Sequence, residues 1–143
     1  MAKLTVAEFL ACKGQRQLTQ SFTMDVNVAK AYNDAGLDVL VTTGDLVEEF
    51  SAVTGNTMLI GAADFTEVAA SDEAAIRIGF KLLDAGADGI YVGAHNIDRI
   101  KAMADAAIPV IGHVGLVPYR NTWFGGMRAV GKKADEALGI YER

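Results

Sequence analysis

Cysteine, long apolar runs and excess positive charge are scarce or missing in this sequence of 143 residues, and each shortage excludes a class of protein. The single cysteine, Cys12, has no internal partner for a disulfide, which favours a reducing compartment. No stretch reaches the roughly 20 apolar residues of a membrane span, and the first residues form no signal-type apolar run. We therefore expect a soluble, cytoplasmic protein with no membrane partner.

The charge balance argues against nucleic acid as a partner. Thirteen Lys and Arg stand against 18 Asp and Glu, so the net charge is −5, whereas binding to phosphate backbones requires a basic face. A small anionic substrate is still compatible, because its site can be locally positive. The chain is 51% hydrophobic and 22% charged, which indicates one globular domain over residues 1–143 with a substantial core.

Common catalytic motifs are also missing. The sequence has no Walker-type glycine loop, and its glycine-rich pieces lack the strand–GxGxxG–helix context of a dinucleotide site. It has no serine elbow, no CxxC and no HExxH. These absences exclude the readily recognised nucleotide, hydrolase and zinc-protease classes.

Apolar, β-branched runs alternate with helical patterns along the whole chain. Such runs predict buried strands, and the intervening patterns predict helices. The predicted strands are Leu18–Thr23, Val39–Thr43, Met58–Ala62, Ile90–Gly93 and Pro109–Val114.

Helix signals lie between these strands. Thr5 and Glu8 have the spacing of a capping box, and Ser71 precedes two acidic residues in the manner of an N-cap. The helix after Ser71 is predicted to bury one face, on which the spacing i, i+4, i+7 places Ile76, Phe80 and Leu83.

Strands that alternate with helices predict right-handed crossovers and a parallel sheet, which makes the fold class α/β. Five strands fit an open doubly wound sheet. They equally fit the first five β/α units of a TIM-type (β/α) barrel of eight. Asp34-Ala35-Gly36 and Asp84-Ala85-Gly86 precede the second and fourth strands, and both architectures permit this repeated turn.

Polar residues follow the predicted strands, where parallel α/β folds place their active sites. Two of the carboxylates are suited to hold Mg²⁺, which takes a few carboxylates together with water and substrate oxygens. The residues at these strand ends are Asp25, Asp45, Asp64, His95, Asn96 and His113.

Each of these residues also has a structural interpretation. Asp25 and Asp45 are placed to cap helices, whereas Asp64 is harder to explain as a cap because the next clear helix begins near Ser71. His95 and Asn96 can cap the following helix. His113, within an apolar strand, has the alternative role of a hydrogen-bonded core residue.

The stretch from Pro109 to Ala137 resembles the signature of the ketopantoate hydroxymethyltransferase family. The sequence Ile-Pro-Val-Ile-Gly-His-Val-Gly-Leu-Val-Pro-Tyr is followed by Phe124-Gly125-Gly126 and then by Asp135-Glu136-Ala137. The family pattern has the form P-V-x-G-H-x-G-L-x-P-Q, F-G-G and D-E-A in the same order. Upstream, Gly44-Asp45 and Ala63-Asp64 fall where the family has G-D-S and A-D-x-P-F.

This resemblance implies a (β/α)₈ barrel of the phosphoenolpyruvate mutase and isocitrate lyase group. It implies Mg²⁺-dependent transfer of a hydroxymethyl group from methylenetetrahydrofolate to a branched 2-oxo acid in pantothenate synthesis, through a metal-stabilised enolate in a homo-oligomer. Asp45 and Asp64 would be metal ligands near the oxo acid, and His113 would line the pocket. His95 is a candidate replacement ligand. The family's general base is expected beyond Arg143.

The sequence departs from the family at several positions. Leu46 stands at the serine of G-D-S, and Tyr91-Val92-Gly93 stands where the family has K-I-E. The segment between Gly44-Asp45 and Ala63-Asp64 is shorter than in the family. These changes leave two alternatives open: a divergent C–C lyase of the same superfamily, and a non-catalytic, oligomeric barrel fragment.

Overall fold

The structure, a computed structural model, describes residues 2–93 and 96–143 of the chain. The strands are β1 (Gln20–Phe22), β2 (Val39–Thr43), β3 (Met58–Ala62), β4 (Gly89–Val92) and β5 (Val110–Gly112). The α-helices are α1 (Val6–Ala11), α2 (Val26–Asp34), α3 (Val47–Ser51), α4 (Phe65–Ala70), α5 (Asp72–Asp84), α6 (Ile97–Asp105) and α7 (Ala134–Tyr141). Segments of 3-10 helix cover Gly44–Leu46 and Pro118–Phe124.

The strands form one parallel sheet in the order β1-β2-β3-β4-β5. A doubly wound sheet reverses its strand order at a switch point, and no reversal occurs among the described strands. Right-handed crossovers that always advance in one direction place every connecting helix on the same face of the sheet. The strand order therefore decides between the two predicted architectures: the chain is a TIM-barrel-type α/β fold with five β/α units.

All five predicted strands are confirmed in position, but the first and the last are shorter than predicted. The predicted strands Leu18–Thr23 and Pro109–Val114 are reduced to β1 and β5, of three residues each. These two strands lie at the edges of the sheet and pair on one side, β1 with β2 and β5 with β4. An edge strand lacks the second hydrogen-bond ladder that extends a central strand.

Side-chain capping defines the starts of the helices. The capping box at Thr5 is confirmed, with the Thr5 hydroxyl accepting from the Glu8 N–H and the Glu8 carboxylate accepting from the Thr5 N–H. Asp25 caps α2 by accepting from the Asn27 N–H at 2.8 Å, and Ser71 caps α5 by accepting from the Ala74 N–H at 3.1 Å. These contacts satisfy N–H groups that the first helical turn leaves unpaired.

The main core lies between the sheet and the helices. Alternate strand residues, among them Leu40, Leu59 and Ile90, are completely buried on this face, together with Phe50 of α3. The opposite face of the sheet carries Val39, Met58, Ile60, Tyr91 and Ile111, against which Leu4 and Phe9 from the α1 region pack. In a barrel this second face is the one that points toward the axis.

The predicted buried face of α5 is confirmed for Ile76 and Leu83, which are half-buried against the core, and wrong for Phe80. Ala75, Ile78, Gly79 and Leu82 are buried, whereas Phe80 is 45% exposed. A Cβ on Gly79 would lie 2.8 Å from Ile108 Cδ1. Small residues such as Gly79 therefore allow α5 to pack closely. The buried face follows their positions more closely than it follows those of the large apolar residues.

Within the described residues, no helix is both long and apolar enough to cross a membrane.

Candidate functional site

A cleft of about 670 Å³ opens at the carboxyl ends of the central strands. Its wall includes Thr43 and Ala62 at the ends of β2 and β3, and Tyr91 of β4. Asp45 and Asp64 both line it. The structure thus brings together two of the residues that the sequence singled out, at the edge where an α/β barrel places its chemistry.

Asp45 lies in the 3-10 turn that directly follows β2 and is exposed. It caps neither this turn nor α3. In the described part of the chain no hydrogen bond or ion pair involves its carboxylate. The preceding residue, Gly44, fixes the position of this turn, because a Cβ there would lie 2.8 Å from the carbonyl oxygen of Ala62. Because the carboxyl ends of β2 and β3 approach each other closely, the unpaired carboxylate of Asp45 lies at the cleft.

Asp64 is the N-cap of α4, which corrects the expectation that no helix begins there. Its Oδ1 accepts from the N–H groups of Thr66 at 2.7 Å and Glu67 at 3.3 Å, and from the Thr66 hydroxyl. The Thr66 hydroxyl, followed by the backbone N–H groups, lowers the pKa of Asp64 below its usual value. Asp64 is therefore ionised at neutral pH. All of its described hydrogen bonds reach Oδ1.

Two other strand-end residues act as caps. Asp25 caps α2, as described above, and Asn96 caps α6 by accepting from the Asp98 N–H at 3.1 Å. The cap interpretation is thus confirmed for both, and neither residue lines the cleft. His95, the candidate replacement ligand, lies outside the described residues.

His113 directly follows β5 and is half-buried. Its Nδ1 lies 2.7 Å from the hydroxyl oxygen of Tyr91, with the ring centroids 5.9 Å apart. Burial raises the pKa of the Tyr91 phenol, so this group stays neutral at physiological pH. The expectation of a hydrogen-bonded histidine is confirmed, but His113 does not itself line the cleft, as the resemblance implied; its partner Tyr91 does.

Tyr91 is the site residue that the search of strand ends missed, because it lies within β4 and not after it. Its signal was the register: Tyr91 pairs with Ile111, and His113 follows two residues later on the same face of the neighbouring strand. Only a prediction of strand pairing, in addition to strand position, brings these two residues together.

An aromatic pair borders the cleft on the side of the long loop after β5. The rings of Phe65 and Tyr119 are stacked, with centroids 4.0 Å apart and planes 8° from parallel. Since Phe65 follows Asp64 directly, this contact joins the Pro118–Phe124 segment to the start of α4. The loop is therefore anchored beside the two carboxylates.

Charges in the cleft are mostly negative. Besides Asp45 and Asp64, its wall includes Glu48 and Glu67, with Lys81 of α5 as a cation. An anionic substrate would be repelled by this wall unless a bound cation compensated for the charge. Arg128 of the long loop does not contribute to the cleft, because it forms an ion pair with Glu136.

The donor set fits Mg²⁺. This ion is commonly bound by one or two protein carboxylates, and water and substrate oxygens fill its other positions. Asp45 and Asp64 meet that requirement, since the first has no partner in the described residues and the second is held ionised. Among residues 2–93 and 96–143, no group of three or more His, Cys, Asp or Glu is arranged to hold a metal by itself.

Comparison with solved structures agrees with the fold. A crystal structure of a putative deoxyribose-phosphate aldolase from Coccidioides immitis superposes with a TM-score of 0.51 at 12% sequence identity. The match covers 66% of this chain and 45% of that one. At this identity the likeness concerns the fold alone.

Comparison with known sequences identifies the family. A chain from Staphylothermus marinus named 3-methyl-2-oxobutanoate hydroxymethyltransferase is 29% identical over 99% of this chain and 61% of its own length. Proteins of the same name from Aeropyrum pernix and Syntrophobacter fumaroxidans are each 30% identical, over 94% and 98% of this chain and 58% of their own lengths. The chain thus spans about three fifths of the length of these relatives. The family model for ketopantoate hydroxymethyltransferase matches residues 39–143, which is more than half of the chain, and the chain belongs to this family.

Proposed function

We propose that this chain acts in the Mg²⁺-dependent transfer of a hydroxymethyl group from methylenetetrahydrofolate to a branched 2-oxo acid, as in pantothenate biosynthesis. The observation that carries this proposal is the convergence of Asp45 and Asp64 on one cleft at the carboxyl ends of the strands. Family membership supplies the reaction class, and the cleft supplies groups suited to it.

Asp45 and Asp64 would hold the cation, and His95 and His113 would belong to the oxo-acid pocket, with His113 acting through Tyr91 because it does not line the cleft itself. Bound Mg²⁺ would supply the positive charge that polarises the oxo group and makes the neighbouring C–H more acidic. The capping contacts of Asp64 keep its carboxylate ionised and fixed in orientation. The acidic wall gives a physical reason for metal dependence, because a 2-oxo acid carries a negative charge of its own.

We also propose that the chain works in the cytoplasm as a homo-oligomer. Apolar side chains on and after the edge strand β1 support self-association, since Phe22 is 55% and Met24 is 63% exposed. Light scattering coupled to size exclusion tests this proposal. A monodisperse monomer would contradict it.

Exchange of the α-proton of 2-oxoisovalerate with D₂O, followed by NMR, tests the proposed chemistry. We expect Mg²⁺-dependent exchange by the unmodified chain, with a buffer base accepting the proton, and a loss of about 100-fold or more in Asp64→Asn, because the substitution removes a metal-binding charge. Asparagine is as good an N-cap as aspartate, so α4 should be retained.

Asp25→Asn is the matched control. Asp25 is also an N-cap after a strand, but it does not line the cleft, so its substitution should leave exchange unchanged. Equal exchange in Asp64→Asn and the unmodified chain would show that the metal assignment is wrong. Exchange without transfer of the one-carbon group from methylenetetrahydrofolate would instead favour the C–C lyase alternative.

A further inference from the structure

The hydrogen bond between Tyr91 and His113 joins the cleft wall to the residue after β5. The distance of 2.7 Å between the tyrosine hydroxyl oxygen and His113 Nδ1 is that of a well-formed hydrogen bond. Tyr91 also packs against the apolar axial face formed by Val39, Met58 and Ile60. The ring is thus held on one side by apolar contacts and at its hydroxyl by His113.

Space remains beside this ring. Gly93, two residues further along the same strand direction, also lines the cleft, and a Cβ there would meet Tyr91 Cε1 at 3.7 Å. A side chain larger than alanine at this position would therefore extend over the ring edge. Glycine therefore places no side chain between the cleft and this edge of the Tyr91 ring.

The Tyr91 hydroxyl has one proton and can donate it to only one partner at a time. If His113 Nδ1 carries no proton, the Tyr91 O–H donates to it, and the hydroxyl oxygen offers only lone pairs to a ligand. If Nδ1 carries the proton, the imidazole donates to the tyrosine oxygen, and the Tyr91 O–H is free to donate into the cleft. The neutral state of the phenol, favoured by burial, keeps both arrangements available.

The hydrogen-bonding groups of the ligand determine which of these two arrangements forms. A 2-oxo acid anion presents only hydrogen-bond acceptors, namely its oxo and carboxylate oxygens. Its binding next to Tyr91 therefore requires the tyrosine to donate, which in turn requires His113 to carry a proton on Nδ1.

We propose that Tyr91 and His113 form a hydrogen-bond relay in which His113, as Nδ1–H, positions the Tyr91 hydroxyl to donate to an oxygen of the bound 2-oxo acid. This inference rests on the proposed function for the identity of the ligand. Tyr91 is then a substrate-binding residue and His113 a positioning residue, and ligand binding favours the form of His113 that carries a proton on Nδ1.

The histidine tautomer is directly measurable, because the chain has only two histidines. Long-range ¹H–¹⁵N NMR of the full chain labelled at histidine distinguishes Nδ1–H from Nε2–H, and His95→Gln assigns the signals. We expect addition of 2-oxoisovalerate with Mg²⁺ to raise the Nδ1–H population of His113. In Tyr91→Phe the same ligand should leave the tautomer unchanged.

Calorimetric titration provides the second measurement. Removal of one hydrogen bond to a charged ligand in Tyr91→Phe should weaken 2-oxoisovalerate binding by about tenfold. Tyr141→Phe makes the same chemical change at a tyrosine that is 87% exposed, and it should bind as the unmodified chain does. Thermal unfolding of Tyr91→Phe near that of the unmodified chain excludes loss of the fold as the cause.

The outcomes separate this inference from the proposed function. If the unmodified chain binds 2-oxoisovalerate and His113 is in the Nε2–H form in the complex, or if Tyr91→Phe binds as tightly, the relay is wrong and the proposed function stands. If the unmodified chain binds no 2-oxoisovalerate at any Mg²⁺ concentration, the proposed function and the relay are both overturned.

Discussion

Aspartates at the two ends of the strands have different surroundings. At the amino ends, Asp38 and Asp88 precede β2 and β4, and their carboxylates are bonded to backbone N–H groups of neighbouring segments and to basic side chains. At the carboxyl ends, Asp45 and Asp64 line a cleft. Aspartates therefore hold strands together at the amino ends of the strands and are available for a ligand at the carboxyl ends. This division is the one expected of a barrel, whose amino end serves stability.

The amino-end arrangement comes from a short internal repeat. Asp34-Ala35-Gly36-Leu37-Asp38 and Asp84-Ala85-Gly86-Ala87-Asp88 each end a helix and begin a strand. In both copies the glycine has a positive φ, +80° and +104°, which turns the chain sharply after the helix. Asp38 is thereby placed beside Thr19, the residue before β1, and Asp88 is placed beside Leu59 of β3.

The largest effect on stability is expected for Asp88→Ala. Asp88 Oδ2 accepts from the N–H of Leu59 at 2.7 Å, and Leu59 is completely buried. Alanine leaves this donor without a partner, at a cost of about 2 kcal/mol in the free energy of unfolding. Asp88→Asn keeps an acceptor oxygen and should lose less than about 1 kcal/mol, mainly through the ion pair with Lys3.

Urea unfolding of the two variants measures the difference, provided that the m-value stays constant. Equal losses would mean that the ion pair and not the backbone contact matters. Since Asp88 does not line the cleft, binding of Mg²⁺ should be unaltered in the folded fraction of both proteins.

An intermediate effect, dependent on pH, is expected for Asp38. The backbone N–H of Thr19, with further contributions from the Thr19 hydroxyl and Arg16, lowers the pKa of Asp38 below its ordinary value of 3.8. A lowered pKa in the folded state adds stability above the unfolded pKa, and this stability is lost as the pH falls through the folded value. The side chain is only 14% exposed, so solvent screens these contacts incompletely.

Comparison of the unmodified chain with Asp38→Asn across acid pH tests this assignment. The advantage of the unmodified chain, about 1 kcal/mol near neutral pH, should shrink below about pH 4 as the carboxyl group becomes protonated. Arg16→Gln is the matched control, since it leaves the Thr19 contacts in place and should preserve most of the pH dependence. A difference that is constant with pH would contradict the assignment.

Sequence patterns predicted the strands well, because each is a short apolar, β-branched run bounded by turn residues. They missed α4, whose six residues are too few for a helical period and whose start is marked only by Asp64. They also placed Phe80 on the buried face of α5, since hydrophobicity marks large residues whereas close packing was determined by Gly79. Of the candidate site residues, Asp45 and Asp64 line the cleft, whereas His113 reaches its wall only through Tyr91.

The remaining part of the site depends on contacts between distant residues. The strand order that separated a barrel from a doubly wound sheet is a tertiary property, and each of the two architectures satisfies the same local patterns. The bond between Tyr91 and His113 likewise follows from the register of β4 and β5. Local patterns predict which residues form strands, and pairing decides which side chains meet.

The smallest effect on stability is expected for Asp45→Asn. This carboxylate is exposed and has no partner among the residues that the structure describes, so the isosteric change should alter the free energy of unfolding by less than about 0.5 kcal/mol. Calorimetric titration with Mg²⁺ in the presence of 2-oxoisovalerate should nevertheless show binding weakened by about tenfold or more, since Asp45 is one of only two carboxylates proposed to hold the ion. Asp88→Asn provides the opposite pattern, with reduced stability and intact binding. A fall in stability without a fall in Mg²⁺ affinity in Asp45→Asn would place Asp45 with the structural aspartates of the amino ends, because its carboxylate would then act through contacts within the fold and not through a ligand.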